Sequence, residues 1–125
     1  MMQALLFSSA SALSFIWFLV HFLVGGKEVA RPLLADQHLT DTVRQTLYLC
    51  WHLVSASIAA MAVLFALAVW LEAPPYAVSG LLLAVGFVAV GVTIVPLRAW
   101  RYRNLPQGWL FVPIVVMGTL ALFIS

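Results

Sequence analysis

Three histidines and one glutamate set the chemical range of this sequence. His21 and His52 lie within long apolar stretches, whereas Glu28 and His38 fall in the charged segment between them. An ionisable side chain inside lipid is costly, so His21 and His52 are candidate site residues by default. Neutral imidazole suits zinc, copper and iron. His21 and His52 are therefore the candidate cofactor-binding residues for haem. With Glu28 and His38 they form the candidate ligand set for a transition metal. His21, His52 and Glu28 equally suit a proton or ion path. In a third reading, each imidazole bonds a serine, a tyrosine or a backbone carbonyl and only locks helix packing. The spacing matches no known metal motif, so all three readings stay open.

Other chemistry has less support. Serine, histidine and acidic residues occur, but no local motif joins them as nucleophile and base. No phosphate loop is present. Cys50 is the only cysteine, which excludes an internal disulfide, dithiol redox exchange and a thiolate zinc site. Cys50 is expected to be a small buried apolar residue. Nothing here favours an enzyme.

The elements that position these residues follow from composition. Hydrophobic residues make up 65% of the 125 positions and charged residues 8%, against roughly 25% charged in a soluble domain. A soluble chain this small leaves much of its surface in water and has nowhere to hide so many apolar side chains. The expected fold is all-α: one integral membrane domain over residues 1–125, with four transmembrane helices at about 4–24, 46–71, 77–97 and 107–124. The formal net charge of +2 is too small to suggest a nucleic-acid partner. The cations sit beside apolar runs, where lipid headgroups meet them.

The first run has no positive charge before it, and its small residues at 8–12 come too early for a signal-peptide cleavage site. It reads as a retained span. Gly25 and Gly26 are expected to end it. Residues 27–45 read as a charged loop, kept extended at Arg31-Pro32, with Thr40 or Asp41 capping the next helix. Glu72, Pro74 and Pro75 close the second span. The fourth is short, and Pro113 should kink it.

Lys27, Arg31 and Arg44 flank the first connection, and Arg98, Arg101 and Arg103 the third; the termini and the 72–76 turn carry no Lys or Arg. The positive-inside rule then places segments 25–45 and 98–106 in the cytoplasm and both termini outside, in an inner (plasma) membrane. Tyr48, Trp51, Trp100, Tyr102 and Trp109 at one end, with Trp70 and Tyr76 at the other, form the aromatic belts of such a protein. Small residues should mediate helix contact: Ala4, Ser8 and Ala12 on the first helix, Ser55, Ala59, Ala62 and Ala66 on the second, and Gly80, Ala84, Gly86 and Gly91 on the third. His52 shares a stripe with Tyr48, Ser55 and Ala59, and His21 one with Trp17, Ser14 and Ala10. Both histidines are thus expected to face the bundle interior near the basic end, close enough to form one site. Glu28 is expected to pair with Arg31 or Arg44.

The order His21, Gly26-Lys-Glu28, Arg31-Pro-Leu-Leu34, Arg44 and Trp51-His52 resembles a set of small four-helix bacterial inner-membrane proteins of uncharacterised function. The resemblance covers residues 21–55 and implies that His21, Glu28 and His52 belong together, without implying an activity. Size and span number invite comparison with small multidrug exporters and fluoride channels. The chain lacks the embedded first-helix glutamate of the exporters and shows no fluoride-channel pattern. The expected function is a non-enzymatic binding or accessory protein of the bilayer, built around His21 and His52. The alternative is a homo-oligomeric transporter or channel, alone or in a larger membrane complex.

Overall fold

A chain in lipid must satisfy its backbone within each segment, and a helix does so. The computed structural model, which describes residues 1–124, has four helices: α1 (Met2–Ala35), α2 (Asp41–Trp70), α3 (Pro74–Leu97) and α4 (Gln107–Phe123). No strand occurs among the described residues. The first three helices are long and apolar enough to cross a membrane, and α4 is shorter. The principal contacts pair α1 with α2 and α4, and α3 with the same two. At most 33% of each long apolar stretch is buried inside the bundle. Most of the apolar surface therefore points outward, as in a protein that meets another apolar phase.

Phe7, Met61, Phe65, Ile114 and Ser14 fill the centre. The Phe7 and Phe65 rings lie 6.2 Å apart at a tilt. Gly80 and Gly118 present bare backbone to Phe65, and a Cβ on either would stand 3.2 Å from its ring. Nearer the basic end, Gly91 and Gly108 bring α3 and α4 into backbone contact. A Cβ on Gly91 would lie 2.5 Å from the Gly108 Cα. Three polar side chains of α1 donate to carbonyls on neighbouring helices: Gln3 to Ala121 at 3.1 Å, Ser11 to Ala62 at 2.8 Å and Trp17 to Leu110 at 2.9 Å. Bonds of this kind contribute about 0.6 kcal/mol each on average in membrane bundles.

Several expectations change here. Gly25 and Gly26 do not end α1, and Arg31-Pro32 is not extended. The helix runs through both, as a wide-turn π-helical segment over Val20–Ala30 followed by an α-helical turn over Arg31–Ala35. No glycine among the described residues has positive φ, so Gly25 and Gly26 lack the left-handed geometry that terminates helices. In a regular α-helix the Pro32 ring would meet the Glu28 carbonyl, and the widened turns before it make room. The connection to α2 shrinks to residues 36–40, where Thr40 Oγ1 accepts the Val43 N–H at 3.4 Å as the N-cap. The small stripe of α1 is also displaced, whereas Ser55 and Ala62 on α2 and Gly80 and Ala84 on α3 are buried as expected. Ala4, Ser8 and Ala12 are exposed, and α1 buries Phe7, Ala10 and Ser14 instead. Cys50 is exposed, not buried.

Helices α2 and α3 end alike. After α2, Ala73 N–H reaches Ala68 O and Glu72 N–H reaches Val69 O; after α3, Trp100 N–H reaches Val95 O and Ala99 N–H reaches Pro96 O. These are Schellman closures, whose left-handed residue is usually glycine. Here Glu72 (φ 50°) and Ala99 (φ 56°) take that place. Helix α4 is interrupted at Phe111, between Gln107–Leu110 and Val112–Phe123. Pro113 explains the break, and the Trp17 bond to Leu110 lies beside it.

Candidate functional site

The wide segment of α1 and the first turns of α2 run side by side at the basic end. Trp51 fills the space between them. Its indole stacks on the His21 imidazole, with ring centres 3.8 Å apart and planes 15° from parallel. Gly25, one turn beyond His21, makes room for the far edge of the same ring: a Cβ there would stand 2.5 Å from Trp51 Cη2. The Trp51 carbonyl accepts the Ser55 hydroxyl at 3.0 Å and takes a long 3.5 Å contact from His21 Nε2. Trp51 is thus held on its face, its edge and its backbone. It is a packing residue, where the sequence suggested only an interfacial belt.

Beyond Trp51 the two helices part and leave a groove of about 240 Å³. One wall is α1, with Lys27 and Arg31 one turn apart and Gly26 and Ala30 at the base. The other wall is Tyr48, Trp51 and His52 on α2, with the Tyr48 and His52 rings edge to face at 4.6 Å. Phe22, Leu23 and Leu34 make the rest apolar. An added Cβ at Gly26 meets nothing within 4 Å, so this part of the groove is open space. The lining contains two cations and no carboxylate.

His21 and His52 therefore have separate surroundings. His21 is half-buried against Trp51, whereas His52 is exposed on the groove beside Tyr48 and Phe22. Trp51 is what they share. The expected inward stripe holds for Ser55, which is buried, but not for His52. A three-residue step falls short of a 3.6-residue turn, which swings His52 off the buried line. Glu28 is exposed on α1 and does not line the groove, although the helix continues past it. It does not pair with Arg31 or Arg44. Arg44 instead pairs with Asp41, and its other guanidinium nitrogen donates to the Asp36 carbonyl at 2.5 Å. His38 is exposed in the 36–40 connection, where its backbone N–H donates to Asp36 Oδ1 at 2.7 Å. Among the described residues, no group of three or more His, Cys, Asp or Glu is placed to hold a metal ion.

Sequence reasoning missed Tyr48, Gly26 and Lys27 as site residues. The signal was present as a recurrence every four residues: Lys27 with Arg31 on one helix, and Tyr48 with His52 on the next. The expected helix end at Gly25-Gly26 hid the first pair. No family model, curated protein or solved structure matches the chain, so the pattern over residues 21–55 brings no family with it and the groove itself carries the functional reading.

Proposed function

We propose that this chain is a non-enzymatic binding protein of an inner membrane, and that its site is the groove between α1 and α2. The observation that carries the reading is the make-up of that groove. Apolar side chains, aromatic edges and two cations line one cleft at the end of two long apolar helices. A site of this kind suits an amphiphile lying with its tail along Phe22, Leu23 and Leu34 and its head beside Lys27 and Arg31.

Length and charge support the membrane placement. α1 has 34 residues, about 50 Å of helix, against a hydrocarbon core of about 30 Å. The surplus carries Lys27, Glu28 and Arg31 out of the lipid. All six Lys and Arg lie at this end, with Glu28, Asp36 and Asp41, and Glu72 alone lies at the other. We take α4 as the fourth span, the basic end as cytoplasmic and both termini as non-cytoplasmic.

The test uses the space at Gly26. Gly26→Leu puts a side chain into the groove where an added Cβ meets no neighbour. The protein is reconstituted in lipid nanodiscs, released, and its retained lipid counted by native mass spectrometry. The wild type should keep one bound lipid molecule that Gly26→Leu loses. Equal retention by both proteins would refute the groove as the site.

A further inference from the structure

The groove also carries information about the head of its occupant, and the inference here rests on the binding reading above. Four polar side chains line it without a hydrogen-bond or ion-pair partner among the described residues: Lys27, Arg31, Tyr48 and His52. Two polar groups at this end are already used. Arg44 is paired with Asp41 and bonded to Asp36, and the Tyr102 hydroxyl donates to the Val92 carbonyl at 2.5 Å. Arg98, Arg101 and Arg103 are also without a side-chain partner among the described residues, but they do not line the groove; the four groups that do are mainly donors. Lys and Arg donate only, and Tyr48 and His52 can each offer one hydrogen. No carboxylate lines the cleft to neutralise them.

A group that meets this set must be negative and rich in acceptor oxygens. It must also be attached to something apolar, because Phe22, Leu23 and Leu34 continue the same cleft. Arginine offers a planar fork of donors to phosphate oxygens, and lysine adds a point charge. Basic pockets between helices at the headgroup level are suited to anionic lipid heads. We propose that the groove is a specific site for one anionic glycerophospholipid. Its phosphodiester lies between Lys27 and Arg31, with Tyr48 and His52 donating from the opposite wall.

The experiment is competitive retention. Wild-type protein is placed in nanodiscs of equal phosphatidylglycerol and phosphatidylcholine, released, and its bound lipid identified by native mass spectrometry. Near the membrane surface each basic residue is worth about fivefold in binding an anionic lipid, so the pair should favour phosphatidylglycerol roughly 25-fold. The double variant Lys27→Gln/Arg31→Gln alters two exposed side chains and should return the ratio to near parity. Arg98→Gln/Arg101→Gln removes two charges from the same end but outside the groove, and should leave the ratio almost intact. Parity in the wild type, or an equal fall in both double variants, would overturn the inference. Displacement of the bound lipid by inorganic phosphate would also overturn it, by assigning the site to a free anion. Gly26→Leu separates the two levels. If it abolishes lipid retention while the wild type shows no headgroup preference, the groove reading stands and the phosphodiester inference falls. If it changes nothing, the groove reading itself fails.

Discussion

Gly91 and Gly108 meet backbone to backbone, with an added Cβ on Gly91 falling 2.5 Å from the Gly108 Cα, whereas an added Cβ on Gly26 meets nothing within 4 Å. The same residue type serves opposite ends in the two places. Between α3 and α4, the missing side chains let two helices approach as closely as helices can, in the manner of small-residue packing in membranes. Between α1 and α2, the approach is kept open by Trp51, whose indole spans from His21 to Gly25. Gly25 is occupied by that ring, and Gly26, its neighbour in sequence, faces the space beyond it. A closed seam and an open cleft thus lie at the same end of a small bundle, and what separates them is one large aromatic residue packed against a widened helix.

The largest effect is expected at the closed seam. Gly91→Ala or Gly108→Ala drives a methyl group into backbone that has no flexible end to yield. Overpacking of this kind costs about 3 kcal/mol at its upper range. Unfolding of the purified protein by sodium dodecyl sulfate, followed by circular dichroism, should show a clear fall in midpoint for either variant. An unchanged midpoint for both would mean that the helices do not touch there. Gly25→Ala should cost less, about 1–2 kcal/mol, because its methyl meets the far edge of a side chain. It should also lose most of that penalty in a Trp51→Leu background, which lacks the ring atoms concerned. Additive losses in the double-mutant cycle would show that Gly25 and Trp51 are not in contact, and the contrast with Gly26 would lose its basis.

Much of the architecture was legible from the sequence, and the site was not. Apolar runs bounded by Pro74, Pro75 and the Arg98–Arg103 charges marked the helices well, because length and hydropathy are nearly sufficient in lipid. Thr40 or Asp41 was readable as a cap from residue type alone, and Thr40 takes the place. The dipeptide Gly25-Gly26 misled because glycine ends a helix only when it adopts the left-handed region, and composition does not record φ. Arg31-Pro32 misled for a related reason, since a widened turn accepts proline where a regular one does not. These two misreadings turned a helix into a loop and hid the Lys27–Arg31 wall. The stripe of Ala4, Ser8 and Ala12 was a true pattern on the wrong face. Phe7 and Phe65 claimed the interior, and a large aromatic pair outweighs small residues in deciding which side is buried.

Two positions without glycine sharpen the comparison from the other side. Glu72 and Ala99 hold left-handed backbone that glycine adopts freely. Ala99→Gly, at the basic end, should raise stability by about 1 kcal/mol, since a side chain in this region costs about 1–2 kcal/mol and glycine gives back part through its unfolded-state entropy. An upward shift of the unfolding midpoint checks it, and a fall would show that the α3 closure does not depend on that residue's backbone. The smallest effect is expected at Gly26. It has a helical φ and open space at Cβ, so Gly26→Ala should stabilise α1 by about 0.5 kcal/mol through the entropy that glycine loses in a helix. A methyl group is too small to close the groove, and lipid retention should stay near the wild-type level while Gly26→Leu abolishes it. The two substitutions together distinguish an open cleft from a packed one. Destabilisation by alanine would mean that Gly26 lies in a seam like Gly91 and Gly108, and that the contrast between the open cleft and the closed seam is not real.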